Sequence, residues 1–425
     1  MRPAFALALL LALPAHAAAA PAPAVEGRVI TLEDALRLAT LNDARVLSAE
    51  QDAIIAQQRV KEAWFQFLPE VGFQASASKY EARYPFALST VSRNLLAFPG
   101  DDQNLYSGSG YWYLPVYEGG RHVNTLYLAK AALKAARSNY DAARREVLLA
   151  VKESFYRLIL SQERLDAAAR IEAEARALAA DGSLGAWDRI EAESLLGDAR
   201  AAATTARHQF ETGRLALLKN LNLEFDTVFR VEGSLKTAPL EVEIDRATVW
   251  AMELRPELQS QTYRAEMDAI GVNLAMGRKN PTVFFAGDYE LTGQHFPLKQ
   301  NNWDATIGIK VPLAYDLFTQ VKQKEAEQRQ GALKRAELQD RVRLEVRQAC
   351  ENLLYWQREF PLREAHHASL RRLFDKAAGA PGAALSRLRA SKRLSDARLA
   401  HLESVTEHIL AGAKLEWAVG RALDQ

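Results

Sequence analysis

The chain has 425 residues, of which 48% are hydrophobic and 25% charged, the composition of a folded protein and not of a disordered or collagen-like one. With 54 Lys+Arg against 53 Asp+Glu the formal net charge is +1, so there is no cationic excess to hold a nucleic-acid backbone and no nucleic-acid partner is expected. The single cysteine, Cys350, excludes an internal disulfide and a cysteine-based zinc cluster.

Residues 1–20 read as a secretory signal peptide: a basic start at Met1-Arg2, an apolar run from Ala4 to Leu13, and an A-x-A site at Ala15-His16-Ala17 or Ala18-Ala19-Ala20. About ten apolar residues are too few to span a bilayer. No cysteine follows them, so a lipidated amino terminus is not expected. No later segment reaches eighteen consecutive apolar residues, so any membrane-embedded part would be built of strands.

A helix is predicted from the N-cap Thr31 to about Phe67, with Glu33 and Asp34 in the first turn, where the helix dipole favours negative charge. After Pro69 the period changes to two: Val71, Phe73, Ala75 and Ala77 alternate with Gly72, Gln74, Ser76 and Ser78. Shifting the chain by 212 residues places Ala35 on Ala247, Ala39 on Ala251, Pro69 on Pro281, Val71 on Val283 and Phe73 on Phe285, which points to an internal duplication. The alternation is sharpest in Trp303, Ala305, Ile307, Ile309 and Val311 against Asp304, Thr306, Gly308 and Lys310.

A soluble antiparallel sheet with one wet face gives the same alternation. Three features favour a membrane. Each strand is about ten residues long, enough to cross a bilayer when tilted. Aromatic residues gather towards the strand ends, at Tyr80, Tyr111, Trp112, Tyr113, Tyr117, Tyr289 and Trp303. The charges Asp288, Glu290, Asp304 and Lys310 all fall on the non-apolar face. The expected lipid-facing residues are therefore Val71, Phe73, Val283, Phe285, Ile307 and Ile309; those expected to line a lumen, and to narrow it, are Tyr111 and Tyr113 beside Asp304, Thr306 and Lys310. Four strands cannot close a barrel, and an open edge in lipid is forbidden, so several chains must pool their strands.

From about Gly120 to Ala180 only good helix formers occur, a rod of roughly 90 Å. A turn at Asp181-Gly182-Ser183 sends the chain back from Ala186 to Leu221, and Leu317 to Ala378, a turn at Gly379–Gly382 and Ala384 to Val419 repeat the plan. The organisation is thus a first repeat over 21–221, a connecting segment over 222–244 and a second repeat over 245–425. Acidic residues dominate the first hairpin tip, where Asp181, Asp188, Glu191 and Glu193 outweigh Arg189 beside Trp187. Basic residues dominate the second, where Lys376, Arg387, Arg389, Lys392 and Arg393 outweigh Asp375. Contacts between acidic and basic tips are expected to hold that end shut.

No signature pairs a nucleophile with a base and no phosphate loop is present, so neither enzymatic activity nor a cofactor is expected. His401 and His408, seven apart on one helical face, and His366-His367 are more readily solvated polar residues than metal ligands, and no metal site is assigned to them.

Thr31-Leu32-Glu33-Asp34-Ala35-Leu36 with Phe67-Leu68-Pro69-Glu70 resembles the "T-L-x-x-A-L … x-x-L-P" pattern of the TolC-type outer-membrane efflux proteins. Leu114 to Arg121 resembles the "P-x-x-x-G-G-R" junction of that family, and Arg255-Pro256-Glu257-Leu258 its "x-P-E-L". The resemblance covers nearly the whole mature chain. It implies a homotrimer whose four strands per protomer form a twelve-stranded barrel in the outer membrane, above a periplasmic α-barrel of long helical hairpins. It also implies a periplasmic adaptor and an inner-membrane pump of RND or ABC type as partners, outer-membrane lipid around the barrel, and an equatorial belt for 222–244. The function implied is a passive exit duct for metal or small-molecule efflux; a type I protein secretion duct and a periplasmic helical scaffold or tether are the alternatives. Asp188 takes the family's acidic tip position, whereas Ser386 and Arg389 stand where some relatives carry an aspartate pair, which argues against a double acidic ring here.

Overall fold

The structure, a computed structural model, describes residues 27–80, 103–182, 184–293, 295–313, 315–377 and 384–422. The predicted signal peptide and the turn at Gly379–Gly382 lie outside the described residues.

Eight helices and six strands follow one another in the described residues. In chain order they are β1 (Arg28–Ile30), α1 (Leu32–Asn42), α2 (Ala44–Phe65), β2 (Glu70–Tyr80), β3 (Gln103–Glu118), α3 (Arg121–Ala179), α4 (Ala186–Leu221) and β4 (Phe229–Val231). The second half supplies α5 (Ile244–Leu254), α6 (Pro256–Gly277), β5 (Thr282–Gly293), β6 (Gln300–Lys310), α7 (Leu317–Ala377) and α8 (Ala384–Val419). The long rods have the limits read from the sequence. The helix expected from Thr31 to Phe67, however, is two helices. Asp43 is buried in an extended conformation between them, and its carboxylate accepts the Arg45 backbone N–H at 2.8 Å, capping α2. Burial alone would raise the Asp43 carboxyl, but the hydrogen bonds and charge of Arg45 hold it below the usual carboxylate range.

The second half breaks at the same place with the charges exchanged. Buried Arg255 ends α5, Pro256 opens α6, and the guanidinium bonds Glu345 at 2.6 Å and Glu257 at 3.4 Å while stacking on Trp417 at 4.6 Å. Where Asp43 faces Arg45, Arg255 faces Glu257. The cores beneath the two breaks are alike as well. Ala35, Ala39, Val147 and Val151 are buried in one, and Ala247, Ala251, Val342 and Val346 in the other.

Small residues on these faces let the helices lie side by side. In its first part α3 packs against α2 and α6, the latter through Ser260 Oγ donating to Asn139 Oδ1 at 2.7 Å. Further along, its neighbours include α1, α4 and α8. The α3–α8 seam carries Lys152–Glu416 at 2.8 Å, Glu163–Arg398 at 2.9 Å and Arg164–Glu403 at 3.1 Å. With α7 along the other side, the helices form a curtain about as long as the 59 residues of α3, roughly 90 Å.

The strands β2, β3, β5 and β6 form one antiparallel sheet in that order at one end of the curtain. Gly119 and Gly120, both at positive φ, turn β3 into α3, and Asn280 Nδ2 donates to Gly119 O at 3.2 Å, tying this junction to the one before β5. Two further strands had no sequence signal. The three-residue β1 and β4 pair in parallel, and β4 places the 222–244 segment against the helices, with Phe229 in the first core.

Candidate functional site

The pairing register sorts the sheet's side chains without ambiguity, because directly opposed residues share a face. Val71 pairs with Trp112, Phe285 with Leu114 and Ile307, and Val283 with Tyr117 and Ile309. With Phe73 these make one apolar face carrying all six residues expected to face lipid. It is widely exposed in the single chain: Val71 76%, Phe73 79%, Ile307 64% and Ile309 69%. Tyr117 and the pair Tyr289–Trp303 lie on this face about six residues apart, roughly 20 Å along the strands.

The opposite face carries Tyr111, Tyr113, Asp304, Thr306 and Lys310, together with Asp288, Glu290 and Glu118. Thr306 Oγ1 donates to Asp304 at 3.0 Å, and Ser107 Oγ donates to Glu290 at 2.7 Å. The two tyrosines share this face, and Tyr111 does not stand upright on it. Its ring lies across Gly72, so close that a Cβ there would meet Cζ at 2.3 Å. The sequence could not show this, because it depends on which glycine the register sets opposite the ring.

At the other end, Asp181 closes the first hairpin and Gly185 caps α4, whose first turns bear exposed Trp187, Asp188 and Arg189 and half-buried Glu191. The described start of α8 brings Ser386 and Arg387 to the surface. Leu385 and Leu388 pack on Ala175, Leu178, Ala192 and Leu196, so the second hairpin leans on the first through an apolar seam. Beside the seam Arg389 forms an ion pair with Glu191. A basic and an acidic tip residue thus meet within one chain.

The histidines are not brought together as a ligand set. His401 stacks on His367, their ring centroids 6.3 Å apart. His408 is fully buried, its Nδ1 2.7 Å from Thr237 Oγ1 and its ring 5.0 Å from that of Phe360. Among the described residues no three His, Cys, Asp or Glu side chains cluster as metal ligands. Among the same residues no helix is long and apolar enough to cross a membrane.

A helical curtain joined to an antiparallel sheet with one apolar and one charged face is the channel fold of helical barrel plus β-barrel. The chain is similar over 93% of its length to 86% of the Campylobacter jejuni CmeC outer membrane channel, with a TM-score of 0.79 at 15% identity. It matches the outer membrane protein VceC of Vibrio cholerae over 92% of this chain and 97% of that one, with a TM-score of 0.75 at 16% identity. The open-state MtrE outer membrane channel of Neisseria gonorrhoeae matches over 92% of this chain and 89% of that one, with a TM-score of 0.73 at 16% identity. At such identities these likenesses establish the fold. No curated protein matches the sequence. The family that the motifs resemble is the one recovered: residues 35–223 match the outer membrane efflux protein family.

Proposed function

We propose that this chain is the outer-membrane channel-tunnel of a tripartite efflux system, a passive exit duct to which an inner-membrane pump of RND or ABC type delivers metal ions or small molecules through a periplasmic adaptor. The observation that carries the reading is the division of the sheet into an exposed apolar face, charged only at Lys79 at the far end of β2, and a face bearing its other charges. Such a sheet is stable where lipid covers one side and water fills the other. Among the described residues its outer strands, β2 and β6, pair only with β3 and β5. In lipid those edges require other copies, and three copies of four strands give a barrel of twelve. The helical hairpins of the same three copies would then enclose the periplasmic tunnel, with Glu191–Arg389 contacts at its tip and 222–244 as the belt.

An origin by duplication is part of this reading. It is supported by α1 and α5 of 11 residues each, α2 and α6 of 22, and α4 and α8 of 36, in the same order in both halves. The repeats are assigned to 21–221 and 245–425.

The test is the mass of the detergent-solubilised protein. Three copies per particle, with aggregation when detergent is removed, is the expected result. A monomer soluble without detergent would contradict it and leave the sheet as a soluble one.

A further inference from the structure

The charged face of the sheet carries a plate of aromatic rings that lie on the wall. Tyr111 of β3 is paired with Gly72 of β2, and a Cβ at Gly72 would fall 2.3 to 2.6 Å from three atoms of the Tyr111 ring end. Phe284 of β5 is paired with Gly308 of β6, where a Cβ would come within 2.1 Å of Phe284 Cζ. Real Cβ contacts essentially never fall below 3.0 Å, so each ring occupies the space that its partner's side chain would have filled. Tyr113 completes the plate, its ring centroid 5.3 Å from that of Phe284. The plate spans all four strands and includes every aromatic ring described on this face.

A glycine opposite an aromatic residue does not by itself lay the ring down. Phe73 faces Gly110, yet nothing comes within 4 Å of a Cβ at Gly110. On the apolar face Trp112 is seated on Gly287 in the way Tyr111 is seated on Gly72, while Phe73 stands free. Among the described side chains the charged face has no counterpart to Phe73.

We infer that Gly72 and Gly308 set the bore of the passage by holding Tyr111 and Phe284 against the wall. The inference rests on the proposed reading of the charged face as the lumen. A barrel of about eight strands is filled by its own side chains, whereas one of roughly sixteen leaves an aqueous channel. A twelve-stranded barrel lies between these, where upright rings from three copies decide whether a passage remains. The three atoms nearest a Cβ at either glycine all belong to the far end of a flexible ring, which would swing off the wall into the bore while the backbone keeps its register.

The test uses Lys310→Cys, which lies on the charged face at the helix end of β6, past both seated rings for a reagent arriving from the opposite end. The native Cys350 is fully buried and gives little background. Whole cells expressing the full chain are treated with methanethiosulfonate ethylammonium, or with a biotin-polyether maleimide too large for general porins. Adding Gly72→Val and Gly308→Val should slow the bulky reagent about tenfold or more and leave the small one nearly unchanged. Adding Tyr111→Ala and Phe284→Ala to the valine variants should restore the rate. The alanine substitutions alone, which decide the matter if the valine variants do not assemble, should leave the bulky rate unchanged. An unchanged bulky rate in the valine variants, or faster labelling with the alanines alone, would overturn the inference. If water-borne reagent labels Ile309→Cys and spares Lys310→Cys, the assignment of the lumen face has failed, a result distinct from either.

Discussion

His408 shows how one side chain records its surroundings. Burial disfavours the charged imidazole, hydrogen-bonded to Thr237, and holds its pKa below the ordinary value. His367 is shifted in the same direction, by burial first and then by His401, Arg371 and Arg398. Both groups have folded-state pKa values below the unfolded one, so the unfolded chain takes up protons that the folded chain does not. Their contribution to stability is complete above about pH 6.5 and is lost as the pH falls through that value towards the folded pKa. His408→Gln, which can keep a bond to Thr237, should show a smaller fall in melting temperature between about pH 7.5 and 5 than the parent. Equal falls would show that His408 does not contribute to the acid sensitivity.

At the scale of elements, the joint between sheet and curtain is the most constrained point. Gly119 has φ 63°, and a Cβ there would lie 2.6 Å from Gly277 O and 2.8 Å from Asn280 Cβ. Gly120, at φ 82°, has only Asn124 Nδ2 at 3.5 Å. Both substitutions are strained by the positive φ, but only Gly119→Ala also pushes on the neighbouring junction. It should lower the melting temperature several degrees further than Gly120→Ala, by about 1–3 kcal/mol of added strain, and equal effects would deny the joint this role.

The long rods were legible because turn residues mark their ends and no glycine pair interrupts them. The faces of the strands were legible because a period of two needs no knowledge of the partner strand. The break at Asp43 was not, since aspartate after Asn42 has no signal as strong as Pro256 after Arg255. The strand order, the β1–β4 pair and the glycine seats were hidden for one reason: each joins residues that are distant in sequence, in the case of β1 and β4 across about two hundred positions. At the tips the signs of the charge were legible and the pairing of Glu191 with Arg389 was not, because it joins residues about two hundred positions apart.

At the scale of the molecule, on the proposed reading of three copies around a duct, that contact is the candidate gate. The pair is half exposed, so each copy contributes only ~0–1 kcal/mol, and three copies roughly 3 kcal/mol at most. This is enough to bias a gate and small enough for a partner to overcome. In Arg389→Glu a second carboxylate would face Glu191, turning attraction into repulsion at the seam formed by Leu385 and Leu388. Arg387→Glu removes a further positive charge from the same turn.

The most direct measurement of the central claim is the single-channel conductance of the purified protein in a planar bilayer, with and without Arg387→Glu and Arg389→Glu. Discrete, small steps for the parent and larger steps for the charge-reversed protein are the predicted result. A parent that inserts no channels would contradict the duct, and unchanged closed-state conductance after charge reversal would contradict the tip as its gate.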